Sequence, residues 1–136
     1  MRTAAILIAR LIFAAVFAMA ASFKFMAMGA TATEIAAAGF PMPLILAWAA
    51  AVFEGLLTLG FLTGALFTET CIAAIVYVLF LAFSFHGPNR WGGNMMEFGF
   101  FVDHFTFTAG LLFAAVHGPG DNLVLRLGRD RKIRRA

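Results

Sequence analysis

The sequence predicts an all-α, polytopic membrane protein: an antiparallel bundle of four transmembrane helices, with a short interfacial helix between the first two spans. Two observations carry that prediction. Of the 136 residues, 62% are hydrophobic and only 12% charged, whereas soluble domains average roughly 45–50% apolar and about 25% charged. A water-soluble globule of this size exposes too much surface to hide such content, and disorder requires the opposite composition. The apolar residues also fall into four runs, each close to the roughly 20 residues that a helix needs to cross the hydrocarbon layer. Backbone polar groups in lipid must bond internally, and Ala and Leu run through all four runs, so each is read as a helix.

The first span covers about 3–28 and is interrupted by Arg10 and Lys24. Its start resembles a secretory signal with a small-residue site at Ala18-Met19-Ala20-Ala21, but Arg10 breaks the apolar region, so an uncleaved span is expected. Residues 33–38 are expected to form the interfacial helix, capped by Thr31 or Thr33. Gly39, Pro41 and Pro43 then separate the spans, and Pro43 suits the first turn of a helix. The second span runs over 43–63 and holds Glu54. Thr63-Gly64 is a tight turn, which makes spans two and three a hairpin. The third span, about 65–85, contains Glu69. Residues 86–94, with Pro88 and Gly92-Gly93, form the next connection. The fourth span, about 95–116, carries Glu97, Asp103 and His104, and Gly118-Pro119-Gly120 ends it. The domain organisation expected is a transmembrane domain over 1–120 and a basic tail over 121–136.

The tail holds Arg126, Arg129, Arg131, Lys132, Arg134 and Arg135. The positive-inside rule puts it in the cytoplasm, and four spans put the N-terminus on the same side of a bacterial-type inner membrane. The net charge of +3 sits mostly in this tail, which suits a lipid surface rather than nucleic acid. Cys71 is the one cysteine, so no intramolecular disulfide, iron–sulfur cluster or structural zinc site is expected.

Ionisable groups inside a span cost roughly 2.5–3.5 kcal/mol each and normally find partners. From the helical rise, Arg10, Glu54 and Glu69 lie about 9, 13 and 6 Å from the cytoplasmic ends of their helices. Lys24 and Asp103 lie about 6 and 12 Å from the outer ends of theirs. Two layers are therefore expected: Arg10 with Glu54 and Glu69, and Lys24 with Asp103 or Glu97. Such pairs commonly fix helix register, although intramembrane charges are also default functional candidates. Gly99, Asp103, Thr106 and Gly110 form a small polar stripe on the fourth helix, with Glu97, Phe101, His104 and Thr108 beside it and Phe98, Phe105 and Leu112 on the opposite side. The outer groups His86, Arg90, Glu97, Asp103 and His104, with Lys24, are the candidate lining of a pocket for a polar headgroup or quinone. Straight helices put His86 and His104 about 13 Å apart in height, which does not suit bis-histidine haem, and no metal site is expected.

The chain resembles the DoxX family of small four-helix membrane proteins. The resemblance rests on Arg10 and Lys24, the Gly39-Phe40-Pro41-Met42-Pro43 connection, Glu54-Gly55, Leu59-Gly60 with Gly64, and Gly118-Pro119-Gly120. It implies that Arg10, Lys24 and Glu54 are family-type polar positions. The Asp103-His104 pair and the arginine tail depart from the family pattern. The family is named for a subunit linked to archaeal terminal quinol oxidase, and relatives are tied to thiosulfate:quinone oxidoreduction. The resemblance therefore implies a non-catalytic accessory subunit of a respiratory or photosynthetic membrane complex. Such a subunit would pack phospholipid or quinone, bind no cofactor covalently, and contact other integral membrane subunits or a second copy. One alternative is a quinone-reactive oxidoreductase subunit, with His104 or Asp103 exchanging protons and Lys24 or Arg90 stabilising negative charge on the reduced ring. The other is a small-solute transporter gated by the paired charges.

Overall fold

The computed structural model describes residues 2–125, with side-chain surroundings for residues 4–125. The arginines and lysine of residues 126–136 lie outside the described residues. Among those described, the chain is helical throughout, with no strand. Its elements are α1 (Arg2–Met26), α2 (Met28–Ala37), α3 (Pro43–Thr63), α4 (Phe67–Phe85), a 3-10 turn (Pro88–Arg90) and α5 (Met95–His117). Four segments are long and apolar enough to cross a membrane: Ala4–Met26, Pro43–Thr63, Phe67–Arg90 and Met95–His117. The chain is a multi-pass membrane protein.

The breaks follow local chemistry. Only Ala27, at φ −134° and ψ 48°, separates α1 from α2. The expected cap is corrected: α2 begins at Met28, so Thr31 and Thr33 lie inside it. No proline delays the restart after Ala27, and the two hydroxyls donate to the carbonyls of Ala27 and Gly29, four residues back, as interior threonines do. Pro43 opens α3, where a missing N–H costs nothing. Gly64 closes it in the left-handed region, at φ 66°. Asn94 caps α5 by accepting from the N–H groups of Met96 and Glu97, satisfying two otherwise orphaned donors.

The described chain divides into two compact units, one of residues up to Phe67 together with those from Pro119 onward, the other Thr68–Gly118. In the first, α1 and α3 meet in reverse chain order. Phe13 and Phe17 lie on Phe61, the latter stacked at 5.7 Å, whereas Phe25 meets Trp48. Buried Ala14, Phe17 and Ala21 on α1 face the same core as Ala47, Ala51, Leu57 and Phe61 on α3. The alanines matter because in lipid helix association depends on close approach rather than on the hydrophobic effect.

In the second unit the buried face of α4 is Cys71, Ala74, Val78 and Ala82, again small residues at helical spacing. On α5 the buried side chains are Thr108 and Leu111. Thr68 lies within 3.5 Å of the Ala115 carbonyl, and Phe83 meets the edges of Phe101 and Phe105. Cys71 is a free, buried thiol.

Candidate functional site

Three polar arrangements stand out, two in the first unit and one in the second. Arg10 is 1% exposed and contacts no carboxylate among the described residues. Its Nε donates to the Phe61 carbonyl at 3.0 Å and Nη2 to Leu62 at 2.8 Å and Leu123 at 2.9 Å. Nη1 donates to Pro119 and Asn122, both at 3.0 Å. A guanidinium has five N–H donors, and the five bonds use all of them.

The same contacts complete α3. A helix leaves its last four carbonyls without intrahelical partners. Here Gly60 accepts from the Gly64 N–H at 2.9 Å and Thr63 from the Leu125 N–H at 2.8 Å, while Phe61 and Leu62 accept from Arg10. The cation also lies at the negative end of the helix dipole, where it is favoured. Gly64 makes room for it: a Cβ there would stand 3.2 Å from Arg10 Cζ, Arg10 Nη1 and Pro119 Cβ.

The expected pairing of Arg10 with Glu54 and Glu69 is thereby corrected. Glu54, 1% exposed, accepts instead from Lys24 Nζ at 2.8 Å, and Glu69 is exposed in the first turn of α4. Lys24, expected to pair with Asp103 or Glu97, is instead taken up by Glu54 within the first unit. The physical reason is side-chain direction. Every helical side chain leans toward its own N-terminus. Lys24 and Glu54, each well along its helix and running oppositely, lean toward each other. Arg10, on the same helix as Lys24, leans the same way as Lys24, which carries it away from Glu54 and toward the end of α3.

The third arrangement joins α4 to α5. His86 Nδ1 donates to Glu97 Oε2 at 2.7 Å, and His104 Nδ1 donates to the Phe100 carbonyl at 2.6 Å. The two imidazole centroids are 5.2 Å apart, which corrects the expected separation in height. Again the rings lean toward one another along helices of opposite direction. Trp91 Nε1 holds the His86 carbonyl at 2.9 Å, and its ring meets Phe98 and Phe101 at 5.2 Å. With both Nδ1 atoms engaged, each ring keeps Nε2 for a further hydrogen bond. Among the described residues no three His, Cys, Asp or Glu side chains converge as a metal set.

The DoxX family model matches residues 5–87. The chain belongs to the DoxX family. No curated protein and no solved structure matches it. Arg10, Lys24 and Glu54, the three polar positions carrying the resemblance, fall inside the DoxX segment. Arg90, Glu97, Asp103 and His104 lie beyond it.

Of the residues expected to line one pocket, the structure brings together His86, Glu97 and His104. Lys24 is held by Glu54, Arg90 lies in the 3-10 turn, and Asp103 is exposed on α5. Sequence reasoning missed the Arg10 acceptors, because a backbone carbonyl is present at every position and leaves no compositional trace. The indirect signal was glycine: Gly64, and the Gly118-Pro119-Gly120 segment that brings the chain back beneath Arg10.

Proposed function

We propose that this DoxX protein is a non-catalytic accessory subunit of a membrane redox complex, respiratory or photosynthetic, that packs phospholipid or quinone. The single observation carrying the reading is how the charges of the first unit are used. Arg10 gives all its donors to backbone carbonyls, and Lys24 is tied to Glu54. Groups engaged in this way hold a frame together. In this reading the four spans form one antiparallel bundle, α2 lies at the interface, and both termini are cytoplasmic in a bacterial-type inner membrane.

The place for a lipid headgroup or quinone oxygen is the half-buried cluster of His86, Glu97 and His104, where imidazole Nε2 atoms offer hydrogen bonding. Phe101 and Phe105, 4.9 Å apart, with Trp91 supply the aromatic wall that a quinone ring fits. That fit also supports a second reading, a quinone-reactive oxidoreductase subunit in which an imidazole exchanges a proton with the ring oxygen. Lys24 has no part in that version, and electrons would come from a partner subunit. The transporter reading is weaker, because Arg10 cannot act as a gate without breaking five hydrogen bonds.

The test is mass spectrometry of the protein purified from its native membranes in mild detergent. The accessory reading expects redox subunits at fixed stoichiometry, with quinone or phospholipid whose retention falls in His86→Ala and His104→Ala. Recovery of the chain alone, with bulk phospholipid only, would overturn it. Loss of quinone turnover on His104→Ala in an otherwise intact complex would favour the second reading.

A further inference from the structure

The outward face of α5 carries a polar seam that the cluster does not use. Of the four candidate spans α5 is the least buried. Met96, Gly99, Asp103, Thr106, Gly110 and Phe113 follow one another at intervals of three and four residues. That is the spacing of a heptad seam. Met96 and Phe113 are 67% and 70% exposed, Asp103 and Thr106 are exposed, and the glycines are half-buried. Glycines on such a seam let a second backbone approach closely.

Asp103 lies eight residues past the start of α5, about 12 Å along the helix. It makes no hydrogen bond or ion pair among the described residues. A short carboxylate at that depth cannot reach headgroups as a long lysine or arginine can. Charges within spans face protein or water and take partners.

We infer that the Gly99–Asp103–Thr106–Gly110 seam docks a transmembrane helix of another integral membrane protein carrying a lysine or arginine opposite Asp103. The inference rests on the accessory-subunit reading and names the surface and chemistry of the contact. Charge complementarity selects this occupant over a second copy. Two copies inserted with the same topology would pair about a two-fold axis, setting Asp103 against its own counterpart. Two carboxylates in one site disfavour each other's ionisation. Nor do the described residues of a second copy offer a free cation at that level. Arg10 and Lys24 are engaged, and His104 turns toward His86. His117 is fourteen residues further along α5, about 21 Å away, and Arg90 precedes the helix.

The experiment places a photo-crosslinking amino acid at Thr106 in the full chain, in native membranes, with a control probe at Leu56, 60% exposed on α3. The expected Thr106 product is a transmembrane peptide of a second protein with Lys or Arg within about one turn of the linked residue. Asp103→Asn, checked to melt like the parent, is expected to lower the yield about tenfold. Exchanging the charges, Asp103→Lys with the partner's basic residue→Asp, is expected to restore it. A Thr106 adduct with a second copy, an adduct indifferent to Asp103→Asn, or lipid adducts alone would overturn the inference. Lipid alone at Thr106 with protein at Leu56 would refute this face and leave the accessory reading standing. Lipid at both would refute the two together.

Discussion

Arg10→Lys separates a clamp from a mere buried charge. The substitution keeps the positive charge and loses the planar fork. An ammonium has three donors, so at least two of the five carbonyl bonds are lost. At about 1.5–3 kcal/mol for each bond to a charged group, two losses amount to about 3–6 kcal/mol. Four of the five bonds are only part-buried, and water softens their loss, which points to about 3 kcal/mol. That is a substantial fraction of the roughly 5–15 kcal/mol that holds a typical domain folded. At about 2–4 °C per kcal/mol for chains of this size, the melting temperature in detergent should fall by about 6–12 °C. Chymotryptic cleavage after Leu123 and Leu125 should accelerate in parallel, because Arg10 holds the carbonyls of Pro119, Asn122 and Leu123. A variant that melts within about 2 °C of the parent and is cleaved no faster would refute the clamp. Charge alone would then account for the arginine.

Three further outcomes are expected. Gly64→Ala imposes a side chain at φ 66° and crowds Arg10 at 3.2 Å; it should cost about 1–2 kcal/mol from backbone handedness, measured as a lower melting temperature, and an unchanged melt would show that the turn relaxes freely. Lys24→Met takes the ammonium from a carboxylate whose side chain is 2% exposed and should destabilise by about 3–5 kcal/mol, with Lys24→Met/Glu54→Gln recovering part of the loss; equal destabilisation in single and double variants would exclude coupling. Asn94→Ala removes the cap of α5 and should cost about 1 kcal/mol, with faster amide exchange at Met96 and Glu97; unaltered exchange would show that the cap is dispensable.

Composition made the four spans legible because lipid leaves few alternatives to a helix. Glycine and proline marked the turns within a few residues, since Gly64 and Pro43 are needed for backbone reasons that act locally. The polar partners were not legible in the same way. Residue count gives the height of a Cα, but a hydrogen bond is made by the tip of a side chain several ångströms away. Lys24 with Glu54 and His86 with His104 both converge because their helices run in opposite directions and their side chains lean back. Arg10 with Glu54 diverges under the same rule. A reading that adds this lean to the helical rise recovers the Lys24–Glu54 pair from sequence. It does not recover the Arg10 cradle, whose acceptors belong to the backbone of residues far along the chain.

The distribution of unused hydrogen-bonding capacity is what ties structure to role. Arg10 and Glu54 are the best-buried charges of the first unit, and each is met by this chain's own atoms. The second unit treats its polar groups differently. His86 and His104 each give one nitrogen to a local acceptor and keep the other, and Asp103 points from α5 into the surroundings. A subunit that performed chemistry through its best-buried charges would leave one of them open to a substrate. A subunit built to be held in an assembly would satisfy its internal charges and leave polarity on a surface face. On the accessory reading proposed above, Asp103 and the two imidazoles, rather than Arg10, are where substitutions should alter assembly and ligand retention while leaving the melting temperature near that of the parent.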